Sequence, residues 1–191
     1  MNNLKIIITL LIFLLLTKSP ALSKEMIGIV AAGIGEITNQ KNEGLTTGSK
    51  IYFGDTIFVK KKSSAQILLL DETTLTVGEK SELTIDEFIY DPKSKIGRIV
   101  SSIKLGTVKI ITGEISKQNP DNLKITTPTG SIGARGTEFA VVTQSNKKST
   151  VVLLGPGPEN TLGMIPGTLR VTDGFNTIDI TRPGFQTVIF K

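Results

Sequence analysis

The sequence contains no cysteine, no histidine and no tryptophan. Without Cys or His, the chain cannot build a Ser-His-Asp or Cys-His nucleophile system, and it offers no thiolate or imidazole ligand for zinc, haem or an iron-sulfur cluster. These absences exclude most enzyme classes. A pair of carboxylates, a Ser-Lys arrangement or a hard-cation site of Asp and Glu oxygens stays compatible with the composition.

Alanine, the best helix former, is scarce, with only six in 191 residues. Side chains branched at Cβ are abundant, with 25 Ile, 11 Val and 24 Thr. Such side chains favour strands over helices. The 19 Gly and eight Pro fall between apolar runs, as they do in a chain of many short strands and turns.

From Ile27 onward, apolar and polar residues alternate in short runs, and turn residues separate these runs about every ten residues. The pattern predicts an all-β fold in which many short strands form a single β-sandwich or roll, or a β-solenoid. The segment Ile96 to Leu105 also fits a helical stripe, but its β-rich surroundings favour a strand. Gly-Thr pairs at 106, 136 and 167 are compatible with solenoid coils and equally with three ordinary strand entries.

Residues 1–23 have the features of a secretory signal peptide. Lys5 precedes the apolar run Ile6 to Leu16, and Ala21-Leu22-Ser23 resembles a cleavage site. The run is short of the roughly 20 residues that span a bilayer, although an uncleaved anchor or a buried helix is the alternative. We expect one domain at 24–191, with a net charge of +3 after cleavage, in the periplasm or secreted. Such a mild charge does not indicate nucleic-acid binding.

Several segments of the chain resemble the FecR domain. They are Gly54-Asp55-Thr56-Ile57, Ala65 to Leu75, Gly78 with Ser81, Leu105-Gly106-Thr107-Val108 and, above all, Ile125 to Val141 with its Thr-Pro opening and Gly-x-Arg-Gly-Thr core. The resemblance is strongest over residues 50–145, and a weaker continuation runs from Thr150 to Val188. Two positions depart from the family pattern: Glu72 stands where an Asp-Gly turn is usual, and Ala134 stands where a branched aliphatic residue is common.

The resemblance implies an all-β extracytoplasmic domain. Founding members are inner-membrane regulators whose cytoplasmic segment holds a sigma factor and whose periplasmic part senses a TonB-dependent iron transporter. Since the N-terminus here has signal-peptide character, we expect no cytoplasmic segment that could reach a sigma factor. The chain is more similar to the stand-alone exported FecR-domain proteins.

The motif residues that the resemblance singles out are Asp71, Thr127, Pro128, Gly133, Arg135, Gly136 and Thr137. We expect them to be structural. Arg135, between two glycines, would satisfy backbone carbonyls or pair with Asp71 or Glu138 under a tight turn. The functional alternative for Arg135 is a contact to an anion or to a partner.

Other polar groupings give weaker indications of a site. The acidic pairs Asp71-Glu72 and Asp86-Glu87 do not converge, because neighbours on a strand point to opposite faces. Ser63-Ser64 beside Lys60 to Lys62 contains the elements of a Ser-Lys dyad, but three consecutive lysines favour a solvated turn. We therefore predict no catalytic, cofactor-binding or metal-binding residue.

Three functions fit the sequence, in order of preference. The first is a non-enzymatic exported module that binds a protein or takes part in signalling in the cell envelope, with another envelope protein as its partner. The second is an envelope scaffold that self-assembles through strand edges. The third is a carboxylate-dependent enzyme acting on glycans, which requires converging Asp and Glu side chains in a cleft.

Overall fold

The computed structural model describes residues 24–156 and 167–191. The predicted signal peptide therefore lies outside the described residues, as does part of the predicted break Gly155 to Pro158. No helix in the described part of the chain is long and apolar enough to span a bilayer.

Strands dominate the described chain, which confirms the all-β prediction. They are β1 Met26–Ile34, β2 Ile37–Asn39, β3 Lys50–Tyr52, β4 Thr56–Val59, β5 Ser64–Leu69, β6 Thr74–Val77, β7 Ser81–Asp91, β8 Ile96–Ile111, β9 Leu123–Thr127, β10 Gly130–Arg135, β11 Glu138–Ser145, β12 Lys148–Gly155, β13 Thr168–Thr172, β14 Thr177–Ile180 and β15 Gln186–Phe190. One short helix, α1 (Glu114–Gln118), and a 3₁₀ turn, Pro120–Asn122, follow β8. The ambiguous segment Ile96 to Leu105 is a strand, part of β8.

The strands form one continuous hydrogen-bonded sheet with two layers that share β8. The first half of β8 pairs with β7 and β9, and its second half pairs with β6 and β11. Gly106, with φ +98°, lies between the two halves, and a Cβ there would come within 2.0 Å of Ser81 Oγ. A residue with a side chain would therefore clash at the point where the strand passes from one layer to the other.

Pairing among the described strands is antiparallel except between β8 and β9. Strands in a solenoid coil stack in parallel, so the mainly antiparallel pairing excludes the β-solenoid. The structure is the other predicted architecture, a sandwich or roll, and we call its two-layered sheet the roll. The three Gly-Thr pairs occupy different settings. Gly106 lies within β8, Gly136 precedes β11 and Gly167 precedes β13.

A single core lies between the layers, since alternate residues of almost every strand are buried in one cluster. Phe139 is the largest fully buried side chain. The helix α1 adds Ile115 to this cluster. The sequence pattern did not predict α1, because a single helical turn is too short to show a 3.6-residue period.

Candidate functional site

The turn between β5 and β6 holds Asp71, whose side chain is fully buried. The Asp71 carboxylate accepts hydrogen bonds from the Thr73 amide at 3.1 Å and from the Thr73 hydroxyl at 2.7 Å. Burial raises the pKa of this carboxyl, although the hydrogen bonds from Thr73 and from the Ile115 backbone act in the opposite direction. Asp71 therefore fixes the turn from inside rather than facing a substrate.

Glu72, the residue that departs from the family pattern, closes the same turn. Its amide donates to the Leu69 carbonyl at 3.0 Å, and its backbone has φ +71°. The left-handed conformation costs a residue with a side chain roughly 1 kcal/mol or more, whereas glycine adopts it without that penalty. The turn thus keeps the geometry of an Asp-Gly turn despite the glutamate.

The end of β8 meets the Asp71 turn. The Gly113 amide donates to Thr73 Oγ1 at 3.0 Å, and the Glu114 amide donates to the Asp71 carbonyl at 2.8 Å. A Cβ on Gly113 would lie 2.1 Å from that carbonyl oxygen. Only glycine therefore allows the two segments to approach this closely.

One residue before Gly113, Thr112 forms two hydrogen bonds with Thr137, as acceptor in one and donor in the other. The Thr137 amide donates to Thr112 Oγ1 at 2.8 Å, and the Thr112 amide donates to the Thr137 carbonyl at 3.0 Å. Thr137 is itself buried, and its hydroxyl donates to the Gly155 carbonyl at 2.7 Å. Gly136 precedes it with φ +56°. We call Asp71, Thr73, Thr112, Gly113 and Thr137 the motif junction, because they join the β5–β6 turn, the end of β8 and the starts of β11 and α1.

The remaining motif residues lie on the hairpin β9–β10. Thr127 Oγ1 accepts from the Thr129 amide at 3.3 Å and donates to the Gly130 carbonyl at 3.1 Å, so its hydroxyl shapes the turn that contains Pro128. A Cβ on Gly130 would lie 2.2 Å from the Thr172 carbonyl oxygen and 3.2 Å from an Ile189 side-chain carbon. This hairpin turn is therefore pressed against β13 and β15.

Gly133 and Arg135 point to the outer face of the second layer, because Ile132 and Ala134 between and beside them are buried. Arg135 is exposed. The expected ion pair with Asp71 or Glu138 is not among those of the described residues: Glu138 instead pairs with Lys109 at 2.8 Å. Strand alternation explains the correction, since an outward residue of β10 cannot reach the buried Asp71.

The acidic pairs do not converge. Asp71 is buried while Glu72 is exposed. A bulge interrupts β7 between Ile85 and Glu87, and beside it Asp86 accepts from Ser102 Oγ at 2.6 Å while Glu87 accepts from Arg98 at 3.1 Å. Each carboxylate thus serves a separate structural contact.

The Ser-Lys grouping is a turn. Ser63 Oγ accepts from the Glu36 amide at 2.9 Å and donates to the Lys61 carbonyl at 3.2 Å. Lys60 to Lys62 are exposed. The Ser63 hydroxyl is therefore used in two contacts to the backbone, as in a solvated turn. Within residues 24–156 and 167–191, there is also no group of three or more acidic side chains placed to hold a metal ion.

A row of hydroxyl side chains crosses the outer face of the second layer, and the sequence pattern did not reveal it. In lateral register across seven strands lie Thr56, Thr84, Ser102, Thr126, Ser131, Thr172 and Thr177. Two neighbouring pairs bond directly, Thr56 with Thr84 at 2.9 Å and Ser102 with Thr126 at 2.7 Å. Such cross-strand pairs stabilise a sheet modestly. Their alignment depends on strand order, which local alternation does not encode.

The two-layered roll and its motif junction define an all-β module organised around residues of the FecR pattern. A family model described as FecR protein matches residues 55–155. This match covers more than half of the chain, so the chain belongs to the FecR family. No curated protein matches the chain.

Solved structures support the same fold. Two crystal structures of a candidate anti-sigma factor from Parabacteroides distasonis ATCC 8503, at 2.50 and 1.65 Å, are similar to this chain with TM-scores of 0.52 and 0.51 and 15% sequence identity. Each alignment covers 71% of this chain and 54% of the other. The chain therefore spans about half the length of these proteins, and the likeness concerns the fold.

Proposed function

We propose that this protein is a non-enzymatic, exported FecR-domain module that binds another protein in the cell envelope and takes part in signalling. The observation that carries the proposal is the family match over residues 55–155. The two similar structures come from a candidate anti-sigma factor, which is compatible with a role in signalling. The signal-peptide character of residues 1–23 supports export.

The surface offers apolar contacts of the kind that protein partners use. Phe175 is 97% exposed in the turn between β13 and β14, and Phe185 and Phe190 are exposed near the C-terminus. Exposed aromatic side chains are common anchors of protein contacts. The motif residues with buried polar groups, Asp71 and Thr137, bond to this chain's own backbone and side chains, which leaves binding to the outer surface.

Export and binding can be tested together in living cells. An epitope tag at the C-terminus, followed by cell fractionation and mass measurement of the mature chain, should recover it in the envelope fraction or medium without residues 1–23. A photoreactive residue at Phe175 should form a discrete cross-linked product with one envelope protein. The same residue at the exposed Lys93, in the turn between β7 and β8, serves as the control.

Cytoplasmic recovery of the full-length chain would contradict export. Identical cross-linking patterns at Phe175 and Lys93, or none at either, would contradict specific binding.

A scaffold that self-assembles is the second candidate, because the sheet ends in open strands. Among the described strands, β2, β3, β14 and β15 each pair with one other strand only. Sizing over a range of concentrations separates the two functions. A monomer at all concentrations supports the binding module, and oligomers that grow with concentration support the scaffold.

A further inference from the structure

The last strand, β15, has one edge that no described strand covers. It pairs with β12 alone among the described strands. Hydrogen bonds at both ends of β15 fix the register of this pair. The Leu153 amide donates to the Phe185 carbonyl at 3.0 Å, and the Lys191 amide donates to the Lys147 carbonyl at 3.1 Å. In an antiparallel pair, bonded positions alternate. The odd-numbered residues of β15 therefore face β12.

The even-numbered residues Gln186, Val188 and Phe190 consequently turn their amides and carbonyls away from β12. These groups form a regular row along a strand of five residues, roughly 16 Å long. Unpaired rows of this kind are templates for an added strand. The edge carries no proline or bulge that would block pairing.

The side chains of the same residues are partly or largely exposed. Val188 is 37% and Phe190 66% exposed, while Ile189 between them is buried. Lys148 lies over the Phe190 ring, with its Nζ 6.0 Å from the ring centroid. An added strand with apolar residues at alternate positions would therefore lie beside an apolar surface rather than a polar one.

The charges around the edge decide what kind of strand fits. Lys147, Lys148 and Lys191 meet at one end of β15, and Arg182 lies at the other, where its carbonyl accepts from the Phe185 amide. Neither segment, 145–150 or 181–191, contains an acidic residue. On the β13–β14 hairpin, Asp179 forms an ion pair with Arg170, whereas Asp173 accepts hydrogen bonds from Asn176 and keeps its negative charge.

A second copy of this chain would bring β15 against β15 in antiparallel order. Its Lys191 end would then meet the Arg182 end of the first copy, which brings the cationic side chains of the two copies together. Like charges facing each other suppress a pairing, whereas opposite charges favour it and speed encounter. The charge pattern thus disfavours self-pairing and favours an acidic strand.

We propose that the β15 edge binds an extended segment of a partner protein, in which acidic residues alternate with apolar ones, by adding it as a further strand. The inference rests on the proposed binding function and assigns it a surface. Backbone hydrogen bonds to Gln186, Val188 and Phe190 supply the pairing, Val188 and Phe190 take the apolar side chains, and the flanking cations select acidic ones.

The test uses the purified full chain after signal removal and a blocked peptide that alternates Glu with Val. Binding should protect the amides of Gln186, Val188 and Phe190 from hydrogen exchange, and affinity should fall as salt is raised. A peptide with Lys in place of Glu should bind at least about tenfold more weakly. Equal binding of both peptides, or protection elsewhere without protection on β15, would overturn the inference.

Two sets of variants keep the test decisive. Val188→Pro removes an amide that faces the open edge, and edge positions tolerate proline, so it should abolish peptide binding while the fold persists. Thr177→Pro is the matched control, because it removes an outward-facing amide from a different edge strand, β14. The Asp173 amide donates to the Asn176 carbonyl, so the backbone amide and carbonyl of the next residue, Thr177, face away from β13. The surface pair Lys147→Glu with Lys191→Glu should weaken binding about tenfold even if Val188→Pro proves unstable.

The failure of this inference can be told apart from that of the proposed function. If Val188→Pro keeps the cross-linked product formed through Phe175, the binding function stands and β15 is not its surface. If the wild-type chain forms oligomers that Val188→Pro abolishes, the edge pairs with a second copy, and the acidic partner is refuted.

Discussion

Replacing Asp71 by Ala tests whether the motif junction holds the fold. The substitution removes the acceptor of the Thr73 amide and the Thr73 hydroxyl, and Asp71 is fully buried. Each buried donor left without an acceptor costs about 1 to 3 kcal/mol. The Thr73 hydroxyl also accepts from the Gly113 amide, so its reorientation disturbs the end of β8. We expect a loss of about 3 to 5 kcal/mol in the free energy of unfolding.

Urea unfolding followed by circular dichroism measures this loss, and calorimetry should show a fall in Tm of about 10 °C for a domain of this size. Asp71→Asn keeps one oxygen acceptor and should lose roughly half as much. Glu72→Ala, in the same turn but exposed, is the matched control and should change stability by less than about 0.5 kcal/mol.

The pH dependence gives an independent signature of Asp71. Its folded pKa is raised above the unfolded value of 3.8 by burial, so folding takes up a proton between these two values. The part of the stability that is linked to the protonation of Asp71 is therefore fully present below 3.8 and is lost as pH rises through the folded pKa. Relative to Asp71→Asn, the wild type should gain stability on acidification from neutral pH. The reasoning would be refuted if Asp71→Ala had the same Tm as the Glu72→Ala control, or if the difference in stability between the wild type and Asp71→Asn did not change with pH.

Three further changes have definite expected outcomes. Glu72→Gly should raise the free energy of unfolding by up to about 1 kcal/mol in urea titration, because it removes the strain of φ +71° at the cost of a more flexible unfolded chain; a decrease would contradict the strain. For Asp55, burial raises the pKa, but hydrogen bonds from Lys24, the Tyr52 backbone and Gln40 outweigh burial and leave it below 3.8. Its contribution is therefore present above 3.8 and lost as pH falls through the folded value, so Asp55→Asn should lose less stability than wild type in acid titrations; equal slopes would exclude this role. Gly113→Ala should lower the free energy of unfolding by about 3 kcal/mol, because its Cβ would lie 2.1 Å from the Asp71 carbonyl oxygen. The control Gly44→Ala, whose Cβ would have nothing within 4 Å, should lower it by less than about 1 kcal/mol in the same urea titration. Similar losses in both variants would show that the close backbone approach at Gly113 is not the cause.

Much of the fold could be predicted from the sequence because strands carry a local signal. Alternation at Ile57 and Val59, or at Phe139 and Val141, marks which side of a strand is buried, and all four side chains lie in the core. Breaks such as Asp91-Pro92 also coincide with turns. The order of strands carries no such local signal, since the crossing of β8 between layers at Gly106 depends on contacts with β6, β7, β9 and β11.

The candidate site was predictable in its members but not in its connections. The FecR resemblance selected Asp71 and Thr137, yet it did not indicate that Thr73, Thr112 and Gly113 join them. Those three residues have no distinctive type or spacing in the sequence. They meet Asp71 and Thr137 only because the segment after β8 passes between the β5–β6 turn and the start of β11. Arg135 lies exposed at the end of β10, without the ion pair to Asp71 or Glu138 that was one of its expected roles, for a related reason. A flanking glycine marks a tight backbone but does not say which face of the strand an arginine occupies.

The junction and the outer surface therefore have separate roles in this FecR-family chain. Asp71 and Thr137 direct their polar atoms to other parts of the same chain, so changing them alters the folded state before it alters any contact with a partner. Phe175 and Phe190 contribute little to the core because most of each ring lies in solvent. The two motif residues of the junction stabilise the roll, whereas exposed strands and turns are the parts of a scaffold that are free to vary. Membership in the family consequently identifies the scaffold of this protein, and the proposed binding function depends on the chemistry of its edges and exposed aromatic residues.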